Sequence, residues 1–593
     1  MAEFAVKSTK PRQSKHPTSK LLHWMGILTG VWLLPAIVST PAAFAAERIQ
    51  ITFEIFERSI SINSLELYAR QGRINQDLSA YAQYANPQQM AKLRQILVTR
   101  LPISPVAVSQ FLYTPQAEYL LERLGQVIQT EAGVSGSRAI RAALIKAAAD
   151  RNGLTLLNFL RKFPTPSIRI DLVRSLQIAD ELSKIVEQNN KAIAAVTSAS
   201  DTEATGDSPL TLSRLPDLRR PGAFTWRKQT LRLNDINRNR VFNADVYLPI
   251  SPIWQSRQTP APVIVISHGV GSDRTSFLYL AQQLASYGFV VAVPEHPGSN
   301  AQQLQNLLAG RALQAIKPDE FINRPLDVKF LLDELERRSQ SDLTFQGKMN
   351  LQQVGVIGQS FGGYTALALA GATLDFGQLQ KNCQNLDRSW NLSLLLQCEV
   401  LKLTPAQTNL RDERIKAAIA INPLSSSVFG PTGIGQIKIP VALVAGSADT
   451  VTPPLEEQIQ PFTWLTTPDK YLVTIENATH FSTLEESGAG GGVWPVPLPF
   501  GPEPATARRY IGALSVAFFH TYLNDSSDYR PYLSAGYTRF ISREALKLSL
   551  VQSFSDAQLT AALQREGTGA GAEGPRSRGA LEQRSSGAEE NEQ

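Results

Sequence analysis

Residues 355–366 read GVIGQSFGGYTA, with Ser360 set between glycines at the end of an apolar run. Glycine-x-serine-x-glycine is short enough to arise by chance, so its meaning depends on what flanks it. Before it, VGVIGQS (354–360) has the short apolar, β-branched texture of a buried strand, and after it GGYTALALAGA (362–372) has that of a helix. A strand–turn–helix of this kind holds a serine hydroxyl exposed above the end of a sheet. Gly358 and Gly362 allow a turn too tight for side chains, and Gly363 lets the helix approach the sheet. Ser360 is therefore the candidate nucleophile. The N–H of Phe361, at the helix start, is a candidate donor to an anion.

Outward from this stretch, strands and helices alternate. FTWRKQTLRL and RVFNADVYLPI bracket the turn-like NDINRN as a hairpin that opens a domain. PVIVISHG, FVVAVPEH, IKAAIAINP, PVALVAGSAD and YLVTIENATH read as further strands. SFLYLAQQLASYG, PLDVKFLLDELERR and TARRYIGALSVAFFHTYL read as helices. Short, continuously apolar strands alternating with helices predict an α/β fold with a mostly parallel sheet covered on both faces. Ligands of such sheets collect beyond the carboxyl ends of the strands.

A serine hydroxyl is a weak nucleophile until a base takes its proton. The chain has six histidines. His16 and His23 fall in the leading segment, and the order serine, acid, histidine expected for this architecture leaves His480 and His520. His520 lies inside an apolar helix, whereas His480 directly follows a strand and is the candidate base. Asp449 follows the preceding strand and is the candidate acid, able to fix the imidazole tautomer. Asp375, Asp387, Asp412 and Asp469 follow no such strand and read as surface carboxylates. The N–H of Val270, after the glycine turn SHGVG, is the second candidate oxyanion donor. His268 reads as a residue that holds that turn.

SHGVGSDRTSF, ASYGFVVAVPEHPGSN, GQSFGGYTALA, AGSADTVTPP and ATHF together resemble the α/β-hydrolase superfamily over about residues 224–523. The similarity is to the branch holding plasma-type platelet-activating-factor acetylhydrolases, dienelactone-hydrolase-like proteins and secreted polyesterases. It implies a nucleophile at Ser360, an acid at Asp449, a base at His480 and oxyanion donors at Phe361 and Val270. Dienelactone hydrolases proper use cysteine where this chain has Ser360, which argues against that reaction. The helical region ahead of the hydrolase portion is similar to an uncharacterised amino-terminal domain of some bacterial hydrolases.

Residues 1–45 carry five cations against Glu3, +4 of the chain's +6. They precede the apolar run LLHWMGILTGVWLLPAIVST and small residues at Ala43 and Ala45. This is the pattern of a secretory signal peptide, with an uncleaved membrane anchor as the other reading. Either way the body is expected to be exported, to the periplasm or the extracellular space. The near-neutral remainder has no basic stripe with interleaved aromatics, so no nucleic-acid partner is expected. Residues 47–62 alternate apolar and polar as a strand or two would. From Leu65 to about Val186 apolar positions recur at three- and four-residue spacing, so residues 46–189 are expected to form a mostly helical domain. Residues 190–222, rich in small and polar residues, read as a linker. The hydrolase portion is expected over 223–525, with a cap-like insert over 373–413. A carboxy-terminal extension over 526–564 and a disordered tail over 565–593 follow. The two cysteines, Cys383 and Cys398, lie in the insert and read as a disulfide or as two buried thiols. The insert, with the later Gly/Pro-rich loop carrying Trp494 and Phe500, reads as an apolar rim around a pocket or as a surface patch.

The expectation is a secreted serine hydrolase cleaving small-molecule or lipid-like carboxylic esters through an acyl-enzyme, with no metal or organic cofactor. An amide or peptide hydrolase, and a non-catalytic cell-envelope binding protein, are the alternatives.

Overall fold

The computed structural model describes residues 45–206, 208–252, 259–384, 386, 389–404, 410–485 and 501–565. The leading segment to residue 44, the loop 486–500 with Trp494 and Phe500, and the tail from 566 lie outside them. The alternating residues after Ala46 form a hairpin of β1 (Arg48–Phe53) and β2 (Phe56–Ser61). Helices follow at Pro87–Val98, Pro105–Leu112 and Pro115–Val127, each opened by proline after a capping Asn86, Ser104 or Thr114. The cap side chain accepts a free backbone N–H, and proline supplies helical φ where no N–H is needed. The hairpin supplies the strand or two expected after residue 47, and the unit carries two strands more. β3 (Ile128–Thr130) and β4 (Ser167–Asp171) join the hairpin in a four-stranded sheet, order β2-β1-β4-β3. Strands this short are hidden in sequence by the helical periodicity on either side.

The expected linker is corrected as well. The helix Leu172–Glu203 runs for 32 residues, about 48 Å, into the segment read as 190–222. Ala192 and Val196 are fully buried on it, with Ala195 and Ala199 packed beside them. These positions keep helical spacing, but small side chains make a weak hydrophobic signal. A short helix, Pro209–Ser213, follows before the hydrolase portion.

That portion is built on one nine-stranded sheet. Its strands are β5 (Thr225–Asp235), β6 (Arg240–Ile250), β7 (Ala261–Ser267), β8 (Val290–Pro294) and β9 (Met349–Gln359). β10 (Ile415–Ile421), β11 (Val441–Gly446), β12 (Lys470–Ile475) and β13 (Leu548–Val551) complete it. The order is β13-β12-β11-β10-β9-β7-β8-β6-β5. The strands from β8 through β7 to β12 are parallel, while β5, β6 and β13 pair antiparallel at the edges. Alternate residues feed two cores: Val263 and Val265 face one, Ile264 and Ile266 the other. The extension 526–564 is thus part of the sheet, since it supplies β13. The helix Leu172–Glu203 lies against this edge strand: Ser200 Oγ accepts the Leu550 N–H at 3.0 Å. An edge donor that would otherwise face solvent is covered.

The insert forms helices Phe376–Cys383 and Leu392–Gln397 and a 3₁₀ turn, Cys398–Lys402. Cys383 and Cys398 are joined as a disulfide. Trp390 packs under the Arg123 guanidinium, 3.6 Å from ring to charge, and Tyr119 Oη reaches the Leu386 carbonyl at 2.6 Å. The insert is therefore held by the amino-terminal unit as well as by the sheet.

Candidate active site

Ser360 follows β9, Asp449 follows β11, His480 follows β12, and Gly269–Val270 follow β7, so all lie at the carboxyl edge of the parallel strands. Ser360 is held at φ 58°, ψ −119°, a conformation that costs a non-glycine residue strain. Neighbouring glycines make the turn possible. A Cβ on Gly362 would lie 1.9 Å from the Ser267 carbonyl oxygen, and one on Gly358 2.1 Å from the Gly362 carbonyl oxygen. The Ser360 N–H donates to the Ile421 carbonyl at 2.8 Å, which ties the turn to β10.

The acid and base loops are built together. Ala448 N–H donates to the Ala478 carbonyl at 2.9 Å, and Gly446 must be glycine because a Cβ would sit 2.5 Å from that same carbonyl. His480 Nδ1 meets Asp449 Oδ2 at 2.7 Å. The carboxylate is fixed from three more directions. Its Oδ1 accepts the Val451 and Thr452 N–H groups, each at 2.8 Å, and Oδ2 lies 2.8 Å from Thr452 Oγ1. An imidazole that donates Nδ1–H to a fixed carboxylate keeps Nε2 as an acceptor, the tautomer a general base needs. Gln359, next to Ser360, donates through Nε2 to the His480 carbonyl at 2.9 Å, linking nucleophile turn and base loop. Ser360, Asp449 and His480 are all buried to within a few per cent.

The turn after β7 leans on the nucleophile: a Cβ on Gly269 would lie 3.4 Å from Ser360 Cβ. Among the described residues, neither the Val270 N–H nor the Phe361 N–H has an acceptor, so two donors beside Ser360 are unclaimed. His268 holds this turn. Its Nδ1 meets the Gly269 carbonyl at 2.8 Å, and its Nε2 accepts the His296 N–H at 3.1 Å. Burial, then the nearby Arg324 charge, pushes the His268 pKa down to about 3. It is a neutral structural imidazole.

Beneath the turn lies a buried ionic cluster that the sequence reading missed. Arg240 Nη1 and Nη2 each donate to Glu320 at 2.9 Å, and its Nε to Asp327 at 2.7 Å. Asp327 also meets His296 Nδ1 at 3.1 Å, while His296 Nε2 meets Ser267 Oγ at 3.0 Å. Ser267, His296 and Asp327 thus repeat the residue types of the candidate triad. All three are sealed from solvent and link β7, β8 and the helix Glu320–Ser341, so they are structural. Arg324, on that helix, is completely buried and reaches both the His268 and Gly269 carbonyls. A lone arginine before proline in an otherwise ordinary helical stretch carries no periodic signal.

The other residues named from sequence divide. His520 stacks on Tyr529 with 4.2 Å between ring centroids, in the packed helix Pro504–Leu523. Asp412 is not a solvated carboxylate: it is buried and paired with Arg414 at 2.7 Å. Asp375 caps the helix Phe376–Cys383, and Asp387 lies outside the described residues. The insert touches the acid loop, where the Ser393 N–H donates to the Val451 carbonyl at 3.1 Å.

Comparison with known families gives two matches. Residues 45–171 match the family described as "Alpha/beta hydrolase of unknown function (DUF1400)". Residues 251–307 match "Platelet-activating factor acetylhydrolase, isoform II". The first match covers the amino-terminal unit up to the end of β4, short of the helix Leu172–Glu203; the second covers β7, the Gly269–Val270 turn and β8.

Proposed function

We propose that this chain, which has the α/β-hydrolase fold and resembles the platelet-activating factor acetylhydrolases, is a serine hydrolase that cleaves carboxylic esters through an acyl-enzyme. The observation that carries this reading is the pair of N–H groups, Val270 and Phe361, that no described residue accepts from and that flank a serine held in a strained turn. Strain and unsatisfied donors at one point are costly, and both are useful if a charged oxygen forms there.

In this mechanism Ser360 Oγ attacks the ester carbonyl carbon as its proton passes to His480 Nε2. The carbonyl π electrons move to oxygen, and the oxyanion is received by the two amides. His480 then protonates the leaving alcohol oxygen as the tetrahedral centre collapses to an acyl-serine. Water attacks the acyl carbon, its proton goes to His480, and Ser360 leaves with that proton as the carboxylic acid is released. Asp449 stabilises the imidazolium in both halves.

The insert's contact with Val451 favours a role in bounding the acyl or alcohol site, and its apolar residues favour lipid-like or short acyl esters. The basic-apolar pattern of residues 1–45 and the disulfide together favour an exported protein, because such bonds persist in oxidising compartments.

The test is a fluorophosphonate probe and a panel of p-nitrophenyl esters of increasing acyl length, with an anilide as control. The expected result is labelling and ester turnover by the native chain, both lost in Ser360→Ala. Absence of labelling and of turnover in the native chain overturns the reading, and preference for the anilide moves it to amide hydrolysis.

A further inference from the structure

We propose that Arg324 is a positioning residue that sets the direction of the oxyanion donor Val270 by clamping the carbonyl of the same peptide unit. This rests on the hydrolase reading above. The Gly269 C=O and the Val270 N–H belong to one planar trans peptide, in which the two bonds point in opposite directions. Whatever fixes the carbonyl therefore fixes the N–H. Two groups fix it: His268 Nδ1 at 2.8 Å and Arg324 Nη2 at 3.3 Å. Arg324 Nη1 holds the preceding carbonyl, that of His268, at 2.6 Å. One rigid guanidinium thus spans two successive peptide units of the turn, a geometry that a lysine ammonium cannot reproduce.

The same guanidinium packs on the side chain of Phe361, the residue that carries the second donor. Its carbon lies 4.5 Å from the centroid of the Phe361 ring. Arg324 is itself immobilised: Nε donates to Ser299 Oγ at 2.9 Å. Burial lowers its pKa, an effect that the Glu320 and Asp327 carboxylates of the cluster oppose, and no solvent reaches it. A donor braced in this way needs no reorientation when charge develops on the substrate oxygen, which is the condition under which such donors are most effective. A glycine at 269 completes the arrangement. A Cβ there would sit 2.6 Å from Gln359 Oε1, so the braced turn can lie directly on the nucleophile turn.

A purely structural Arg324 and a positioning Arg324 differ in what they do to correctly folded molecules. The experiment compares the full chain with Arg324→Lys and Arg324→Met, each rate being normalised to sites titrated to completion with a fluorophosphonate. Positioning predicts that kcat for a short p-nitrophenyl ester falls about 10- to 100-fold while KM moves less than about 3-fold. It also predicts that affinity for a trifluoromethyl ketone, which forms a tetrahedral adduct with the serine, falls in step with kcat/KM. Native-like kcat and ketone affinity in the titrated fraction, whatever the yield or thermal midpoint, overturn the proposal.

Should both variants fail to fold, Ser299→Ala removes only the brace on Nε and decides in their place. A loss of about 3-fold in kcat at constant KM supports the proposal, and an unchanged kcat overturns it. A native chain that neither labels nor turns over any ester is a different outcome, and it removes the hydrolase reading together with this one.

Discussion

Asp449 receives His480 Nδ1 on Oδ2 and two backbone amides on Oδ1, so its charge and its orientation are both specified. Asp449→Asn keeps the shape but presents a group that can donate toward the imidazole, and the wrong tautomer then leaves a proton on Nε2. The expected outcome is a kcat lowered about 10³- to 10⁴-fold with the fold intact, read from ester kinetics beside a circular-dichroism melt. A loss under about 10-fold would show that the base is oriented by other groups, Thr452 Oγ1 at 3.2 Å being the nearest. Ser360 and its glycines belong to the same scale. They bend the chain where a helix must begin within one residue of a strand, a local demand, and Gly362 also leaves room for the Ser267 carbonyl of the neighbouring strand.

Elements meet through groups that neither one could satisfy alone. Glu457 is completely buried, and among the described residues no cation pairs with it. Its Oε1 lies within 2.8 Å of Asn391 Nδ2, Ser393 Oγ and Gln397 Nε2 on the insert, and of Ser426 Oγ after β10. Its Oε2 accepts the Ser425 N–H at 2.7 Å and the Ser426 N–H at 3.0 Å. A carboxylate so surrounded fastens the insert to the sheet, and its removal strands several buried donors at once. Glu457→Ala is therefore expected to cost at least about 3 kcal/mol, concentrated in the insert. Hydrogen exchange checks this. Amides over 376–402 should exchange faster in the variant while those of β9 and β10 stay protected, and uniform loss of protection would mean that the insert and sheet unfold as one.

At the scale of the whole molecule, the amino-terminal unit is joined to the hydrolase sheet rather than tethered to it. The helix Leu172–Glu203 buries Ala192 and Val196 in the core that also holds Val551, and Glu203 accepts the Gln552 N–H at 3.2 Å. Tyr119 and Arg123 grip the insert on the other side. Removing residues 45–206 exposes this apolar face and the edge of β13 together, a combination that invites association of chains. A chain beginning at residue 207 is expected to aggregate where the longer chain is soluble, as size-exclusion chromatography would record. A soluble, monodisperse truncated chain would show that the two units are independent.

The sequence by itself determined the order of the strands from Thr225 to Ile475 and of the longer helices among them, the serine turn, and the positions at strand ends where Asp449, His480 and Val270 stand. These are legible because apolar runs, helical spacing and turn residues act over windows of a few residues. Tertiary structure alone decided that the helix continues to Glu203, that β13 joins the sheet, and that Arg324 and Glu457 are buried as clamps. In each case the stabilising partner is remote in the chain: Ser200 meets Leu550 across 350 positions, Tyr119 meets Leu386 across 267, and Arg324 meets His268 across 56. Small residues such as Ala192, and single charged residues such as Arg324, have no local pattern to announce them. Their burial is favourable only once the fold has brought a complementary surface or a set of carbonyls to them.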